Sequence, residues 1–218
     1  ISDKTRQVVD GLRVQRLDRP YVRDAGKLRA ASWAEAFAAI AAKVKATKPE
    51  RVGALAGDLA SVEEMFALKA LMDKLGVVNI DCRQDGTTLH PAHGRASYIF
   101  NATVAGIEQA DAILIVGSNP RRESPVLNAR ILKRWRQGGA RMALIGEQAD
   151  LTYPVEYLGA GPDTLSNLGA FGDALARAAR PLVIVGQGAL ARADGLAVLA
   201  AASKLAQRDG WNGLCVLH

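Results

Sequence analysis

Cysteine is scarce in this sequence of 218 residues, which contains only Cys82 and Cys215 and no CxxC motif. Two thiols cannot supply the roughly four ligands of a conventional iron–sulfur cluster, and they cannot form the framework of a disulfide-rich domain. So few cysteines favour a chain that is kept in a reducing compartment. We therefore expect no metal cluster held by this chain alone.

Long hydrophobic runs are also missing. The longest, residues 36–42 and 196–202, each cover about two helical turns, whereas a membrane-spanning helix needs roughly 20 apolar residues. Aromatic residues amount to 5% of the chain, although 49% of all residues are hydrophobic. A core built mainly from Ala, Leu and Val favours helices packed on a sheet over a β-sandwich rich in aromatic side chains.

Basic residues outnumber acidic residues, and the formal net charge is +6. The basic residues are spread over segments such as 13–23, 121–122 and 133–136, and they do not form a basic groove interleaved with aromatic side chains. This distribution is typical of a solvated surface with local ion pairs. We predict no nucleic-acid partner, and an acidic protein partner or a phosphate-bearing ligand stays open as an alternative.

The first 31 residues differ from the rest of the chain. They are basic and show no helical period, Pro20 blocks a helix, and residues 24–27 form a turn sequence. We predict a small β-rich lead-in over residues 1–31 and an α/β region over residues 32–218. Because the chain begins with Ile1 instead of methionine and ends in a strand-like sequence, we expect it to be part of a longer protein.

Two Ser-x-x-Glu sequences, residues 32–35 and 61–64, are capping boxes, in which serine and glutamate satisfy each other's backbone N–H groups. They predict helices over about 32–46 and 61–75. One face of the first helix is apolar at helical spacing and consists of Trp33, Phe37, Ile40 and Val44.

Short apolar strands alternate with helices along the rest of the chain. The predicted strands are 52–55, 112–116, 141–145 and 182–185, with one more at the C-terminal end, and further helices are predicted over about 124–137 and 194–207. Such strands are typical of a parallel sheet that is covered on both faces. Because parallel sheets bind ligands at the carboxyl ends of their strands, the loops at Gly57, Gly117, Gly146 and Gly186 are expected to line any crevice.

A glycine-rich turn follows one of these strands. Gly186-Gln187-Gly188, with Ala191 three residues later, matches the G-x-G-x-x-A pattern, whose glycines let backbone amides approach a diphosphate. The acidic residue expected at the end of a second strand is missing, since Asp209 lies in a loop-like sequence. A tight strand-to-helix turn is the main interpretation, and dinucleotide binding is the alternative.

Candidate metal ligands lie at Cys82, Asp85, His90 and His93. Imidazoles and a thiolate are suitable ligands, but Pro91 breaks a helical presentation and the spacing matches no standard zinc finger. We interpret these residues as ordinary polar loop residues. Cys82 has no recognisable activating neighbours, and no Ser–His–Asp or paired-carboxylate pattern stands out, so no catalytic residue is predicted.

Residues 110–120, together with Pro125 and Arg130, resemble the strand and G-x-N-P turn of the molybdopterin oxidoreductase family. Residues 19–36 are similar to that family's opening segment, and residues 158–165 to its Gly-x-Asp-x-x-Leu segment. The resemblance implies an α/β, Rossmann-like, mostly parallel sheet with helices on both faces. In the family, this domain lies beside a pterin dinucleotide.

Longer matching segments restrict the resemblance to one branch of this family. Residues 14–21, 81–86, 125–130 and 146–154 are similar to the large iron–sulfur subunits of respiratory NADH–quinone oxidoreductases, and residues 210–213 complete the match. Alpha-proteobacterial and mitochondrial versions look closest. The resemblance implies that iron–sulfur clusters upstream of this chain relay electrons from NADH toward quinone.

The sequence departs from active molybdenum enzymes where those enzymes bind their cofactor. Residues 79–86 contain no metal ligand at the family's usual later position, and Gly146-Glu147-Gln148 replaces the Asp-Pro-Arg that holds guanosine. We expect that the fold is kept and that molybdopterin is absent. The residues of the vestigial crevice would be Gly117, Asn119, Glu147, Gly186 and Gly188.

The resemblance therefore implies a non-catalytic scaffold with no cofactor or metal of its own. Its partners would be other peripheral-arm subunits, and it would lie at the cytoplasmic face of the bacterial inner membrane, or at the matrix face of the mitochondrial one, without spanning it. Two alternatives are an active molybdenum or tungsten oxidoreductase domain and an independent nucleotide-binding domain.

Overall fold

The computed structural model describes residues 3–14, 16–82, 86, 89 and 91–217. They form two compact units, one within residues 3–84 and the other within residues 85–218. The division predicted from the sequence, after residue 31, is a different one and stays a prediction. Within the described residues, no helix is both long enough and apolar enough to cross a lipid bilayer.

The first unit contains three helices and two small two-stranded sheets. In chain order they are α1 (Asp3–Gly11), β1 (Tyr21–Asp24), β2 (Lys27–Ala30), α2 (Trp33–Lys45), β3 (Gly53–Leu55), α3 (Val62–Leu75) and β4 (Asn79–Asp81), with a 3-10 turn at Pro49–Arg51. β1 and β2 form an antiparallel hairpin, whereas β3 and β4 pair in parallel. The strand predicted at 52–55 therefore belongs to a small sheet of its own.

Local hydrogen bonds explain where α2 and α3 begin. The N–H groups of Glu35 and Glu64 each donate to the hydroxyl of a capping serine, and each carboxylate accepts from that serine's N–H. Gly76 ends α3 with a φ of 69°, a conformation that costs glycine little. Both predicted capping boxes are thereby confirmed.

Helix α1 was not predicted, because the lead-in was expected to consist of extended segments. Asp3 lies in its first turn, where a negative charge interacts favourably with the helix dipole. None of its residues is buried. Within the lead-in, the structure contains extended segments at β1 and β2, on either side of the predicted turn, which includes Ala25 and Gly26.

The second unit is built around a five-stranded parallel sheet. Its strands are β5 (Ala112–Val116), β6 (Arg141–Ile145), β7 (Glu156–Gly159), β8 (Pro181–Gly186) and β11 (Leu214–Leu217), and β9 (Gln207–Arg208) and β10 (Trp211–Asn212) form a separate antiparallel pair. Its helices are α4 (Thr103–Gly106), α5 (Pro120–Glu123), α6 (Pro125–Arg136), α7 (Gly169–Arg177), α8 (Gln187–Leu190) and α9 (Gly195–Ala206). The strand order across the sheet is β11-β8-β5-β6-β7.

Buried side chains cover both faces of this sheet. Along β5, Ile113 and Ile115 belong to one core cluster, and Leu114 between them belongs to the other. The first cluster includes Leu127 and Ile131 of α6, and the second includes Phe171 and Leu175 of α7 and Val198 and Ala202 of α9. Successive side chains of a strand point to opposite faces of the sheet, and in β5 both sets are apolar. Both faces must therefore be covered by helices. The predicted α/β fold with a parallel sheet is confirmed.

Candidate functional site

The carboxyl ends of the central strands meet where the strand order changes direction. From β5, the chain proceeds through β6 and β7 toward one edge, and then through β8 and β11 toward the other edge. Such a reversal places two diverging loops side by side, and open α/β sheets bind ligands in the crevice between them. The candidate site is therefore the edge formed by the turns after β5, β6 and β8.

A small crevice lies at this edge, with a volume of about 190 Å³. Typical small-molecule pockets measure about 300–1,000 Å³. Its lining includes Gly117, Gly146, Gly161, Gly188, Ala189 and Arg192. Of the residues expected there, Gly117, Gly146 and Gly188 line the crevice. Asn119, Glu147 and Gly186 lie near the strand ends but outside its lining, and Gly57 follows β3 in the first unit.

The glycines at this edge allow protein segments to touch each other. A Cβ on Gly117 would lie 2.6 Å from the Cβ of Ala189, and a Cβ on Gly186 would lie 2.4 Å from the Gly117 carbonyl oxygen. Gly117 also has a φ of 59°. A Cβ on Gly188 would make only ordinary contact, at 3.9 Å. Gly117 and Gly186 are therefore needed to bring α8 against the end of β5.

The backbone amides of the strand-end turns are used inside the protein. The Gly117 N–H donates to the Ile145 carbonyl at 2.8 Å, and the Gly146 N–H donates to the Gly159 carbonyl at 2.9 Å. A phosphate cradle needs such N–H groups free and pointing at the ligand. The N–H groups of Gly117 and Gly146 are therefore not available to a pterin dinucleotide, since they are already paired.

A carboxylate closes the turn between β5 and α5. Glu123 accepts hydrogen bonds from the Asn119 N–H at 2.6 Å and from the Ser118 hydroxyl at 2.9 Å. The Asn119 N–H and the Ser118 hydroxyl are thereby paired inside the protein. Glu123 was missed in the sequence analysis, although an acidic residue in the first turn after a proline is a usual helix-start signal.

The Asn119 side chain contains one unpaired polar atom. Its Oδ1 atom is buried, and no hydrogen-bond donor reaches it among the residues that the structure describes. The backbone N–H of Asn119 already donates to Glu123.

Two charged side chains near the crevice are not arranged for a ligand. Arg192 donates to both carboxylate oxygens of Asp194, at 2.7 and 3.0 Å, and this contact lowers the pKa of the Asp194 carboxyl. The positive charge at the crevice is thus already paired. Glu147 is exposed in the loop after β6.

The metal-ligand candidates fall in different parts of the chain. Cys82 is exposed and belongs to the first unit, whereas His93 belongs to the second, and Asp85 and His90 lie outside the described residues. Over the part of the chain that is described, no three His, Cys, Asp or Glu side chains come together as metal ligands could. Cys215 is buried in β11, and burial raises the pKa of its thiol to about 12.

Two segments that carry the resemblance, residues 125–130 and 146–154, contact each other. The Tyr153 hydroxyl donates to Asn128 Oδ1 at 2.9 Å, and Asn128 Nδ2 donates to the Leu151 carbonyl at 3.0 Å, all in buried surroundings. Burial raises the pKa of the Tyr153 hydroxyl. At the surface, Arg121 binds the Asp150 carboxylate at 2.6 Å. These contacts fasten the loop after β6 to α5 and α6.

Known proteins match the whole chain. The family model of molybdopterin oxidoreductase covers residues 16–218. An NADH-quinone oxidoreductase subunit from Rickettsia bellii and its counterpart from Rickettsia conorii are each 44% identical to the chain over its full length. The mitochondrial NADH dehydrogenase (ubiquinone) iron-sulfur protein 1 of Solanum tuberosum is 42% identical. The chain covers 33%, 34% and 31% of these relatives, about a third of their length. The matches confirm the resemblance found in the sequence.

Proposed function

This chain belongs to the molybdopterin oxidoreductase family, and from that premise we propose that it is a non-catalytic scaffold within a subunit of NADH–quinone oxidoreductase. In this proposal, the full-length subunit relays electrons from NADH toward quinone through iron–sulfur clusters that are bound outside these residues. The relatives support it, since one is named as a subunit of that enzyme and another as an iron-sulfur protein of NADH dehydrogenase.

The observation that carries the proposal is the internal use of backbone donors at the strand ends. Gly117 and Gly146 donate to backbone carbonyls, and the N–H of Asn119 donates to Glu123. In an active relative, turns of this kind would have to present free donors to the cofactor. We infer that Gly117, Asn119, Glu147, Gly186 and Gly188 belong to a vestigial crevice and hold no cofactor, and that Gly117 and Gly186 now serve its packing.

As a scaffold, this part of the subunit would support the cluster-bearing part and contact other peripheral-arm subunits. The formal charge of +6 would favour acidic surfaces on those partners. We propose a peripheral position at the cytoplasmic face of the bacterial inner membrane, or at the matrix face of the mitochondrial one. No nucleic-acid partner is proposed.

Elemental and cofactor analysis of the native full-length subunit tests this function. We expect stoichiometric iron without molybdenum, tungsten or released pterin, because the turns that would hold the pterin are closed by internal hydrogen bonds. Molybdenum or tungsten at one atom per subunit, together with pterin, would instead support an active oxidoreductase.

The melting temperatures of the native subunit and of one variant distinguish a scaffold from a nucleotide-binding domain. Gly188→Ala should leave the melting temperature of the full-length subunit nearly unchanged, with or without added NADH, because the new Cβ meets only ordinary contacts. If NADH raised the melting temperature of the native subunit and Gly188→Ala abolished that rise, the turn at 186–188 would be a dinucleotide site.

A further inference from the structure

Helix α6 carries charges of one sign only, since it contains no acidic residue. The basic residues of its last two turns are Arg130, Lys133, Arg134 and Arg136. The side of the helix that faces the sheet consists of the buried residues Leu127, Asn128 and Ile131. At about 3.6 residues per turn, the opposite side consists of Val126, Arg130, Lys133 and Arg136. We call these exposed residues the basic face of α6.

A nearby carboxylate compensates part of this charge. Glu108, shortly before β5, accepts hydrogen bonds from the Arg130 guanidinium and from Lys133 Nζ, the latter at 2.9 Å. Arg136 is exposed, and among the described residues its side chain has no hydrogen-bond or ion-pair partner. Arg134, at the border of the face, donates to backbone carbonyls, which carry no formal charge. The basic face therefore keeps a net positive charge.

The clustering of these cations is unfavourable for the helix itself. Like charges that lie three or four residues apart repel each other, and this spacing joins Arg130 to Lys133 and Lys133 to Arg136. The helix dipole favours cations in the last turn, but Arg130 lies before that turn. Carboxylates of a partner against this face would relieve the repulsion, and Val126, which is 55% exposed, would add an apolar contact.

We propose that the basic face of α6 docks against an acidic surface of another subunit of NADH–quinone oxidoreductase. The inference rests on the proposed function, which places the chain in that assembly, and it names the part of the chain that makes a subunit contact. Guanidinium groups form paired hydrogen bonds with carboxylates, and arginine is enriched where protein surfaces meet. The partner is therefore expected to present carboxylates to Lys133 and Arg136.

Lysine acylation followed by mass spectrometry tests the contact, because Lys133 lies at the centre of the face. Lys204, in the last turn of α9, is the matched reference, since it is also an exposed lysine near a helix end. The labelling rates of both lysines would be measured in the isolated full-length subunit and in the assembled enzyme. A further sample, the isolated subunit with vesicles of anionic phospholipid, tests for binding to a membrane surface.

We expect Lys133 to be labelled about tenfold more slowly in the assembled enzyme than in the isolated subunit, because an ammonium group paired within an interface is shielded from the reagent. Lys204 should be labelled equally in both. Equal labelling of Lys133 in both samples would overturn the proposal. Protection of Lys133 by the vesicles and not by assembly would also overturn it, and would replace the protein partner with a membrane.

A pair of charge reversals gives an independent readout. Arg136→Glu and Arg177→Glu each replace an exposed arginine in the last turn of a helix, so both lose the same interaction with a helix dipole. We expect Arg136→Glu to lower about tenfold the fraction of subunit that stays in the enzyme at raised salt, because its carboxylate would face those of the partner. Arg177→Glu should leave this fraction unchanged.

Equal retention of the two variants would contradict the docking face. Melting temperatures of the isolated subunits show whether both variants fold, and if Arg136→Glu alone is unstable, the labelling of the native protein decides. Metal and pterin analysis tests the scaffold role separately. Iron without molybdenum, tungsten or pterin, together with equal labelling of Lys133, would keep the scaffold role and reject the docking face. Molybdenum or tungsten with pterin would reject the scaffold role whatever the labelling shows.

Discussion

Single residues at the strand ends serve close packing, and Gly117 is the clearest case. Gly117 and Gly138 both have positive φ values, of 59° and 75°. Their surroundings differ, because a Cβ on Gly117 would lie 2.6 Å from that of Ala189, whereas a Cβ on Gly138 would meet nothing within 4 Å. A comparison of the same substitution at these two positions therefore distinguishes the cost of backbone strain from the cost of steric overlap.

We predict that Gly117→Ala destabilises the 218-residue chain more than Gly138→Ala does. Both substitutions add backbone strain of about 1 kcal/mol, and only Gly117→Ala adds overpacking of about 1–3 kcal/mol. Urea unfolding followed by circular dichroism measures both values. Equal losses would mean that α8 moves away from Gly117 without cost, and the packing role of this glycine would be rejected.

Sequence patterns predicted some of the residues that line the candidate site, but they did not predict the contacts that those residues make. Gly117 and Gly188 were predicted from the turn pattern, and both line the crevice. The contact between Gly117 and Ala189 joins segments that are far apart in sequence, so no local pattern reveals it. Glu123, in contrast, acts on its own turn, and its position in the first turn of α5 was a signal that could have been used.

At the scale of elements, Arg208 joins the ends of two helices. Its guanidinium donates to the carbonyls of Leu175 and Ala178 at the end of α7, at 2.7 and 3.2 Å, and to that of Leu205 near the end of α9, at 3.2 Å. The last carbonyls of a helix have no partner within the helix. A planar guanidinium has five N–H donors spread over three nitrogen atoms, whereas an ammonium group has three donors on a single nitrogen.

We predict that Arg208→Met lowers the free energy of unfolding by about 1.5–3 kcal/mol, the range for hydrogen bonds to charged groups. Arg208→Lys should recover only part of this loss. Arg177→Met is the control, because it removes the same charge from an exposed side chain in the last turn of α7. If Arg177→Met were as damaging as Arg208→Met, the effect would come from charge at the helix end and not from the carbonyl contacts.

Elements with strong local signals were predicted correctly, and those that depend on distant contacts were not. The capping boxes at Ser32 and Ser61 and the apolar run of β5 each determine an element locally. Helix α7 was missed because Gly169 and Gly172 weaken its intrinsic helix preference, and it is held by the burial of Phe171 in the core. Helix α1 and strand β7 were missed as well.

At the scale of the whole molecule, the two units differ in what holds them together. The unit within residues 85–218 buries side chains on both faces of its sheet. The unit within residues 3–84 depends mainly on local hydrogen bonds, such as its two capping boxes. An N-cap contributes only about 1 kcal/mol, and burying one large apolar side chain contributes about 1.5–3 kcal/mol. The sheet unit must therefore be the more stable one in this chain.

We predict that the 218-residue chain unfolds in two steps in urea. Amide exchange should become complete first in α3, residues 62–75, and only at higher urea in β5 and β8, because local opening requires least free energy where few side chains are buried. Hydrogen exchange followed by mass spectrometry at increasing urea measures the order within a single sample. Simultaneous loss of protection would mean that the units unfold together, and the prediction would be rejected.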